Sequence, residues 1–178
     1  MTMFVRVDRA EQRLCALANA VCRRRALRGM FRAVSRLGDG VFWYGLMAAM
    51  PLLTGVGRWE YGLRVSVQMV CAGAFGLALY KFLKRKLVRE RPFIGLIGIE
   101  CAMPPLDRYS FPSGHTLHAV LFTAIAIRHV PELAIVLVPF ALLVAASRVV
   151  LGLHYPTDVL AGATLGAVVA AASEAVFW

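Results

Sequence analysis

Residues 40–57 contain no charged side chain, and four further runs, 65–80, 116–127, 133–147 and 159–177, are almost free of charge. Such stretches leave few folding options. In lipid every backbone N–H and C=O must find its partner inside the segment, so runs of this kind become helices that cross the bilayer. Trp43 and Tyr44 near one end of the first run, with Trp59 and Tyr61 past the other, read as an interfacial aromatic belt. The second run is rich in Gly and Ala, which suits close helix packing. Composition agrees, with 60% hydrophobic residues and a mean hydropathy of +0.68. The expected fold class is all-α: a polytopic membrane helix bundle of about five transmembrane helices.

Charge lies between the runs. The formal net charge is +10, yet the basic residues sit at the ends of apolar runs and are not interleaved with aromatics as on a strand-binding surface. Nucleic acid is therefore excluded as a partner, and anionic membrane lipid is expected. Cys15, Cys22, Cys71 and Cys101 form no C-x-x-C pair and read as free thiols without a metal site.

Residues 1–38 are too rich in arginine to span a bilayer. Val7, Ala10, Leu14, Leu17 and Val21 recur at helical steps while Arg6, Arg9, Arg13 and Arg23 to Arg25 fall largely elsewhere, the pattern of a basic amphipathic helix lying on the membrane. This divides the chain into a surface segment, 1–38, and a transmembrane core, 39–178. The first long apolar run comes too late for a cleavable signal peptide. Asp8 and Glu11 argue against a mitochondrial presequence.

Three short stretches carry candidate chemistry. Six cations lie between Lys81 and Arg91. Lys84 and Arg91, seven residues apart with Pro92 next, would share one face of a helix that Pro92 ends. Lys81, Arg85, Lys86 and Arg89 read as membrane anchors. Phe111-Pro112-Ser113-Gly114-His115 precedes the third run; Ser113 suits an N-cap, and a helix start offers free N–H groups that seat an anion. In Ser147-Arg148-x5-His154-x3-Asp158, Pro156 suits the first helical position, so Asp158 can reach one imidazole nitrogen and leave the other as a base or nucleophile. His-x-x-x-Asp alone is weak evidence. His118 reads as a packed polar residue and His129 gets no role. The linker 93–110 reads as a membrane-dipping loop or short helix, with Glu100 and Asp107 solvated.

Topology joins these stretches. With five spans, the end of the second, the start of the third, the end of the fourth and the start of the fifth all fall on one side. Lys84, Arg91, Ser113, His115, Arg148, His154 and Asp158 then converge at one membrane face.

Lys84-x6-Arg91-Pro92, Pro112-Ser113-Gly114-His115 and Ser147-Arg148-x5-His154-x3-Asp158 resemble the three signature motifs of the type-2 phosphatidic acid phosphatase superfamily, which includes the vanadium haloperoxidases. Every signature position is present, in the family's order, over roughly the C-terminal two-thirds of the chain. The resemblance implies an integral membrane lipid phosphatase. It assigns catalysis to His154 as the nucleophile that becomes phosphohistidine, Asp158 as its orienting carboxylate, and His115 as the acid and later the base. It assigns phosphate binding to Lys84, Arg91, Ser113, Gly114 and Arg148. No metal or other cofactor is expected, because the three cations supply the charge.

Many membrane members resemble a six-span plan facing the periplasm or lumen, whereas five spans and a surface helix are counted here. All but three of the 20 Lys and Arg residues, the exceptions being Arg58, Arg64 and Arg128, then share the site's side. The positive-inside rule puts that side in the cytoplasm of a bacterial inner membrane; a sixth span hidden in 10–38 would invert it. The expected substrate is an isoprenoid, undecaprenyl-type diphosphate. Phosphatidylglycerol phosphate, phosphatidate and a polyprenyl-linked sugar phosphate are alternatives. A soluble haloperoxidase conflicts with the apolar runs, and a catalytically silent lipid-binding protein conflicts with the intact motifs. The oligomeric state is not legible.

Overall fold

The computed structural model describes the backbone from residue 5 and the side chains from residue 11. Two helices, α1 (Val5–Ala20) and α2 (Arg25–Leu37), precede α3 (Val41–Leu53), α4 (Trp59–Lys86) and the single turn α5 (Pro92–Gly95); α6 (Gly114–His129), α7 (Ala134–Val150) and α8 (Pro156–Phe177) complete the chain. Among the described residues there is no strand.

Among the described residues three segments are long and apolar enough to cross a membrane: Trp59–Lys86, Pro131–Val150 and Pro156–Phe177. Val41–Leu53 is apolar but only 13 residues long, about 20 Å. Helix α6 is the centre of the bundle and touches α4, α7 and α8. Leu117, Ala119, Leu121 and Ile125 are buried there among Met69, Leu137, Val144 and Val169.

The α6–α8 contact is backbone against backbone. A methyl group on Gly162 would lie 2.4 Å from the Ser113 carbonyl oxygen, and one on Gly166 would lie 2.4 Å from that of Leu117. Only hydrogen fits at either position, so small residues bring the two helices together at closest approach.

Several expectations change. Trp43 is no interfacial residue: it is buried in the core, its indole N–H donating to the Gly38 carbonyl at 3.1 Å, which satisfies the one polar atom it takes inside. Helix α4 stops at Lys86 and does not carry Lys84 and Arg91 on one face; the chain bends at Leu87, has no regular structure over 88–91 and is extended at Arg91, and burial alternates there with Arg89 and Arg91 inside. Arg89 is therefore not a surface anchor.

The amphipathic segment has two working faces. Leu14 and Leu17 face outward as the periodicity predicts, whereas Glu11, Cys15, Asn19 and Cys22 are buried against the core. Asn19 donates to the Glu100 and Val150 carbonyls and accepts from the Glu100 N–H. The side chains of Val7 and Ala10 lie outside the described residues. None of the four cysteines forms a disulfide.

Candidate active site

The site forms where α4 ends, α6 and α8 begin and α7 ends. Gly152, at φ +75°, turns the chain between α7 and α8; there the Leu153 and His154 N–H groups both donate to the Arg148 carbonyl at 3.1 Å. Tyr155 caps α8 and Pro156 opens it, as the sequence predicts. Asp158 completes a capping box: its Oδ2 accepts the Tyr155 N–H at 2.8 Å. Ser113 caps α6, but its hydroxyl bonds the Thr116 hydroxyl at 3.0 Å and makes no side-chain cap. The Ser113 N–H donates to the Asp158 carbonyl at 3.0 Å, tying the two helix starts together.

Around one cavity of about 360 Å³ stand Lys84, Arg91, Gly114, His115, Arg148 and His154. Ser113 and Asp158 are fully buried behind its wall. The first N–H groups of α6 have no partner within the helix, so an anion beside Gly114 meets free donors and the positive end of the helix dipole. Substituting Gly114 would press a methyl group against the Tyr80 ring, 3.1 Å away.

His154 presents Nε2 toward Arg91, whose Nη1 lies 3.4 Å away, and Nδ1 toward Asp158 Oδ2 at 3.6 Å. The second separation is too long for a hydrogen bond and becomes an ionic contact only when the imidazole is protonated. Burial first, then the charges of Arg148, Arg91 and Lys84, hold this imidazole well below its ordinary pKa. At neutral pH it is uncharged, and its lone pair is available. Arg91 is fixed by donation to the Leu153 carbonyl at 2.8 Å. Arg148 is buried, donates from Nη1 to the Ser35 hydroxyl, and keeps its Nε without a hydrogen-bond partner.

Four residues at the site escaped the sequence reading in that role. Asp107 is not simply solvated: its carboxylate takes Lys84 Nζ at 2.7 Å and Arg91 Nη2 at 2.6 Å, and so sits on two of the three cradle cations. Burial acts to raise its carboxyl, and the hydrogen bonds and charges of Lys84 and Arg91 outweigh it, leaving the group below its ordinary value. Asp39 lies with Oδ1 3.3 Å from His115 Nε2, and burial raises its carboxyl pKa. Arg89 is paired with Asp158 and Glu11. The alternation of Arg89 and Arg91 on an irregular segment was the signal available for Arg89; Glu11 and Asp107 offered none.

His118 bonds the Gly114 and Gly73 carbonyls as a packed polar residue. His129 lies at the far end of α6 and bonds Tyr61 there. Glu100 is exposed and paired with Arg28. Among the described residues no group of three His, Cys, Asp or Glu side chains has the arrangement to hold a metal ion.

Comparison with known proteins agrees with this geometry. Residues 65–178 match the family model of the PAP2 superfamily. A decaprenylphosphoryl-5-phosphoribose phosphatase of Mycolicibacterium smegmatis is 39% identical over 137 residues, 74% of this chain and 68% of that protein. A putative undecaprenyl-diphosphatase of Escherichia coli is 33% identical over 140 residues, 75% of this chain and 68% of that protein. The crystal structure of a transmembrane PAP2-type phosphatidylglycerolphosphate phosphatase from Bacillus subtilis superposes with a TM-score of 0.74 at 26% identity, over 97% of this chain and 86% of the other. With the three motifs assembled around one cavity and the family model matching 65–178, this membrane protein belongs to the PAP2 superfamily and is a lipid phosphatase.

Proposed function

We propose that the chain hydrolyses the terminal phosphate of a polyprenyl carrier lipid through a phosphohistidine, without a metal ion. The observation that carries this reading is the shape of the cavity. Its lining on α4 runs Val70, Ala74, Leu77, Tyr80, Lys84, a stripe at helical spacing that descends about 21 Å from the cradle. Val70 and Leu77 are exposed on the outer surface of the bundle, and Tyr44 and Met47 of α3 line the facing side. A phosphate at the top and an apolar chain lying down this groove suit a lipid substrate.

His154 Nε2 attacks phosphorus while His115 gives a proton to the departing lipid oxygen. Burial and the cations keep His115 neutral before substrate binds, and it takes up that proton, with Asp39 beside it, when the phosphate dianion binds. The P–O bond breaks as the N–P bond forms. His115 then takes a proton from water, whose oxygen attacks phosphorus and returns His154 free with inorganic phosphate. Lys84, Arg91, Arg148 and the Gly114 N–H hold the three equatorial oxygens, where charge accumulates. The incoming phosphate takes over the Lys84 and Arg91 contacts of Asp107. Asp158 balances the positive charge that His154 acquires on attack.

An undecaprenyl-type diphosphate is the first reading of the head group, and the E. coli relative supports it. A polyprenyl-phosphate-linked pentose phosphate is the second, favoured by the M. smegmatis relative and by the clustering of Lys and Arg on the site's side, which argues for the cytoplasmic leaflet of a bacterial inner membrane.

Phosphate release by the protein purified in detergent is the test, with undecaprenyl diphosphate, decaprenylphosphoryl-5-phosphoribose, phosphatidylglycerol phosphate and phosphatidate as substrates. The reading expects one of the two polyprenyl lipids to turn over fastest, vanadate to inhibit, EDTA to leave the rate unchanged, and His154→Ala to lower it at least about 10⁴-fold. Retained turnover in His154→Ala ends the mechanism. Sensitivity to EDTA ends its metal independence.

A further inference from the structure

Behind the cavity a second charged cluster contains two groups that the family motifs do not include. Arg89 Nη1 donates to Asp158 Oδ1 and, at 2.8 Å, to the Thr157 hydroxyl. Its Nη2 donates to Glu11 Oε2 at 2.9 Å, and its guanidinium lies 3.8 Å over the Tyr155 ring. Glu11 in turn accepts the Thr157 N–H on Oε1 at 2.6 Å and the Thr157 hydroxyl on Oε2 at 2.7 Å. Glu11, Arg89, Tyr155 and Asp158 are all buried. Glu11 comes from α1 and reaches the start of α8, 146 residues away in sequence.

A buried carboxylate held by one arginine is a neutral pair. Such a pair gives little help to a histidine that must carry positive charge during attack. A second carboxylate on the same guanidinium restores one net negative charge to the cluster, and that charge is what His154 meets through Asp158 at 3.6 Å. We propose that Glu11 and Arg89 are positioning residues for the phosphoryl transfer: Arg89 aims Asp158 at the nucleophile, and Glu11, delivered by the N-terminal helix, offsets Arg89 so that Asp158 keeps its effect on His154. The inference rests on the phosphohistidine reading above. Arg89 carries the same charge as the three cradle cations, yet it bonds the back of the carboxylate and not the phosphate.

The charge argument predicts opposite signs for the two residues. His154 is faced by Arg148 from α7, Lys84 from α4, Arg91 and Asp107 from the connection between α4 and α6, His115 from α6 and Asp158 from α8. A bound phosphate dianion raises its pKa, and the acid limb of kcat reports it. Glu11→Gln removes a negative charge and moves that limb to lower pH by about half a unit to one unit. Arg89→Gln removes a positive charge and moves it up by a similar amount. The double variant Glu11→Gln/Arg89→Gln brings the limb back to its wild-type position. In Glu11→Gln, kcat falls about tenfold with KM within about twofold, because the cluster acts on the transition state and not on the lipid.

The experiment is the pH profile of phosphate release from undecaprenyl diphosphate in detergent, for wild type, both single variants and the double. Opposite shifts that cancel in the double variant establish the inference. Unmoved limbs, or shifts of the same sign, overturn it and leave Glu11 and Arg89 a structural clamp. Arg89→Gln leaves two buried carboxylates facing each other; if it does not fold, Arg89→Lys replaces it, with an unmoved limb expected beside the lowered limb of Glu11→Gln. A wild type inactive on this lipid and on decaprenylphosphoryl-5-phosphoribose, or an active His154→Ala, ends the underlying phosphatase reading. An active wild type whose limb ignores Glu11→Gln ends this inference alone.

Discussion

Asp107 and Asp158 are each bound to arginine within the same site, and they are opposites in every other respect. The Asp107 side chain is 37% exposed and reaches in from an irregular loop to sit on Lys84 and Arg91. Asp158 is fully buried, part of a helix, and held on both oxygens by a backbone N–H and by Arg89. Solvent access decides what each contact can do. A half-exposed carboxylate on a loop exchanges its cations for a better anion at little cost, since water re-solvates it as it leaves. A sealed one cannot leave, because an unpaired charge in that interior costs several kcal/mol. In the proposed mechanism the first is a placeholder for the substrate and the second a permanent part of the catalytic machinery.

The largest test of that contrast is Asp158→Asn, which is expected to lower kcat by roughly 10³- to 10⁴-fold while the protein remains folded by circular dichroism in detergent. A loss below about tenfold would erase the difference between the two clusters. Arg91→Ala comes next, at about 10²- to 10³-fold in kcat/KM, since it removes one oxyanion donor while Lys84 and Arg148 remain. Asp107→Asn is expected to act in the other direction: vanadate inhibition tightens about three- to tenfold and kcat holds, as the competing negative charge is gone. If Asp107→Asn instead abolishes turnover, the loop carboxylate is machinery as well.

The smallest effect is one of pH. Because Asp107 is held below its ordinary carboxylate value, its contacts contribute stability at neutral pH that is lost only as pH falls through the depressed value. Between about pH 5 and 8 the advantage of Asp107→Asn over wild type in vanadate binding should therefore vary by less than about twofold. A steep change across that window would mean that the carboxyl titrates there and that the loop opens with mild acid.

How much of this was legible in the sequence follows from where each contact originates. Lys84, Arg91, His115, Arg148, His154 and Asp158 lie at ends of apolar runs, so counting the runs was enough to bring them to one face. Pro156 carries its local chemistry in the spelling of a helix start and opens α8 as read, whereas the capping box that Asp158 makes with Tyr155 was not read. The seven-residue spacing of Lys84 and Arg91 misled, because it also fits two turns of helix; the chain uses one helix end followed by an irregular run. Trp43 misled likewise, since an aromatic at the end of an apolar run looks interfacial whether it faces lipid or the core. Glu11 was beyond reach, as its burial depends on α1 folding onto an irregular segment 78 residues away. Asp107 sits in a loop without periodicity, where a lone carboxylate next to Arg108 reads as solvated.

The glycine contact between α6 and α8 bears on how such a site keeps its dimensions inside a fluid. Gly162 and Gly166 meet the Ser113 and Leu117 carbonyls directly, so the spacing between the helices that carry His115 and Asp158 is fixed by the thickness of the polypeptide. At these two points no side chain, which could change rotamer as the surrounding bilayer squeezes or relaxes, stands between the helices. Helices α3 and α4 meet in the same way at Gly62, where an added methyl group would lie 2.5 Å from the Pro51 Cα, but the groove beside the cavity is lined by the side chains of Tyr44, Met47, Val70 and Leu77, and compression falls there. Changes in lipid order or growth temperature would then reshape the grip on the substrate tail and leave the reacting atoms in register.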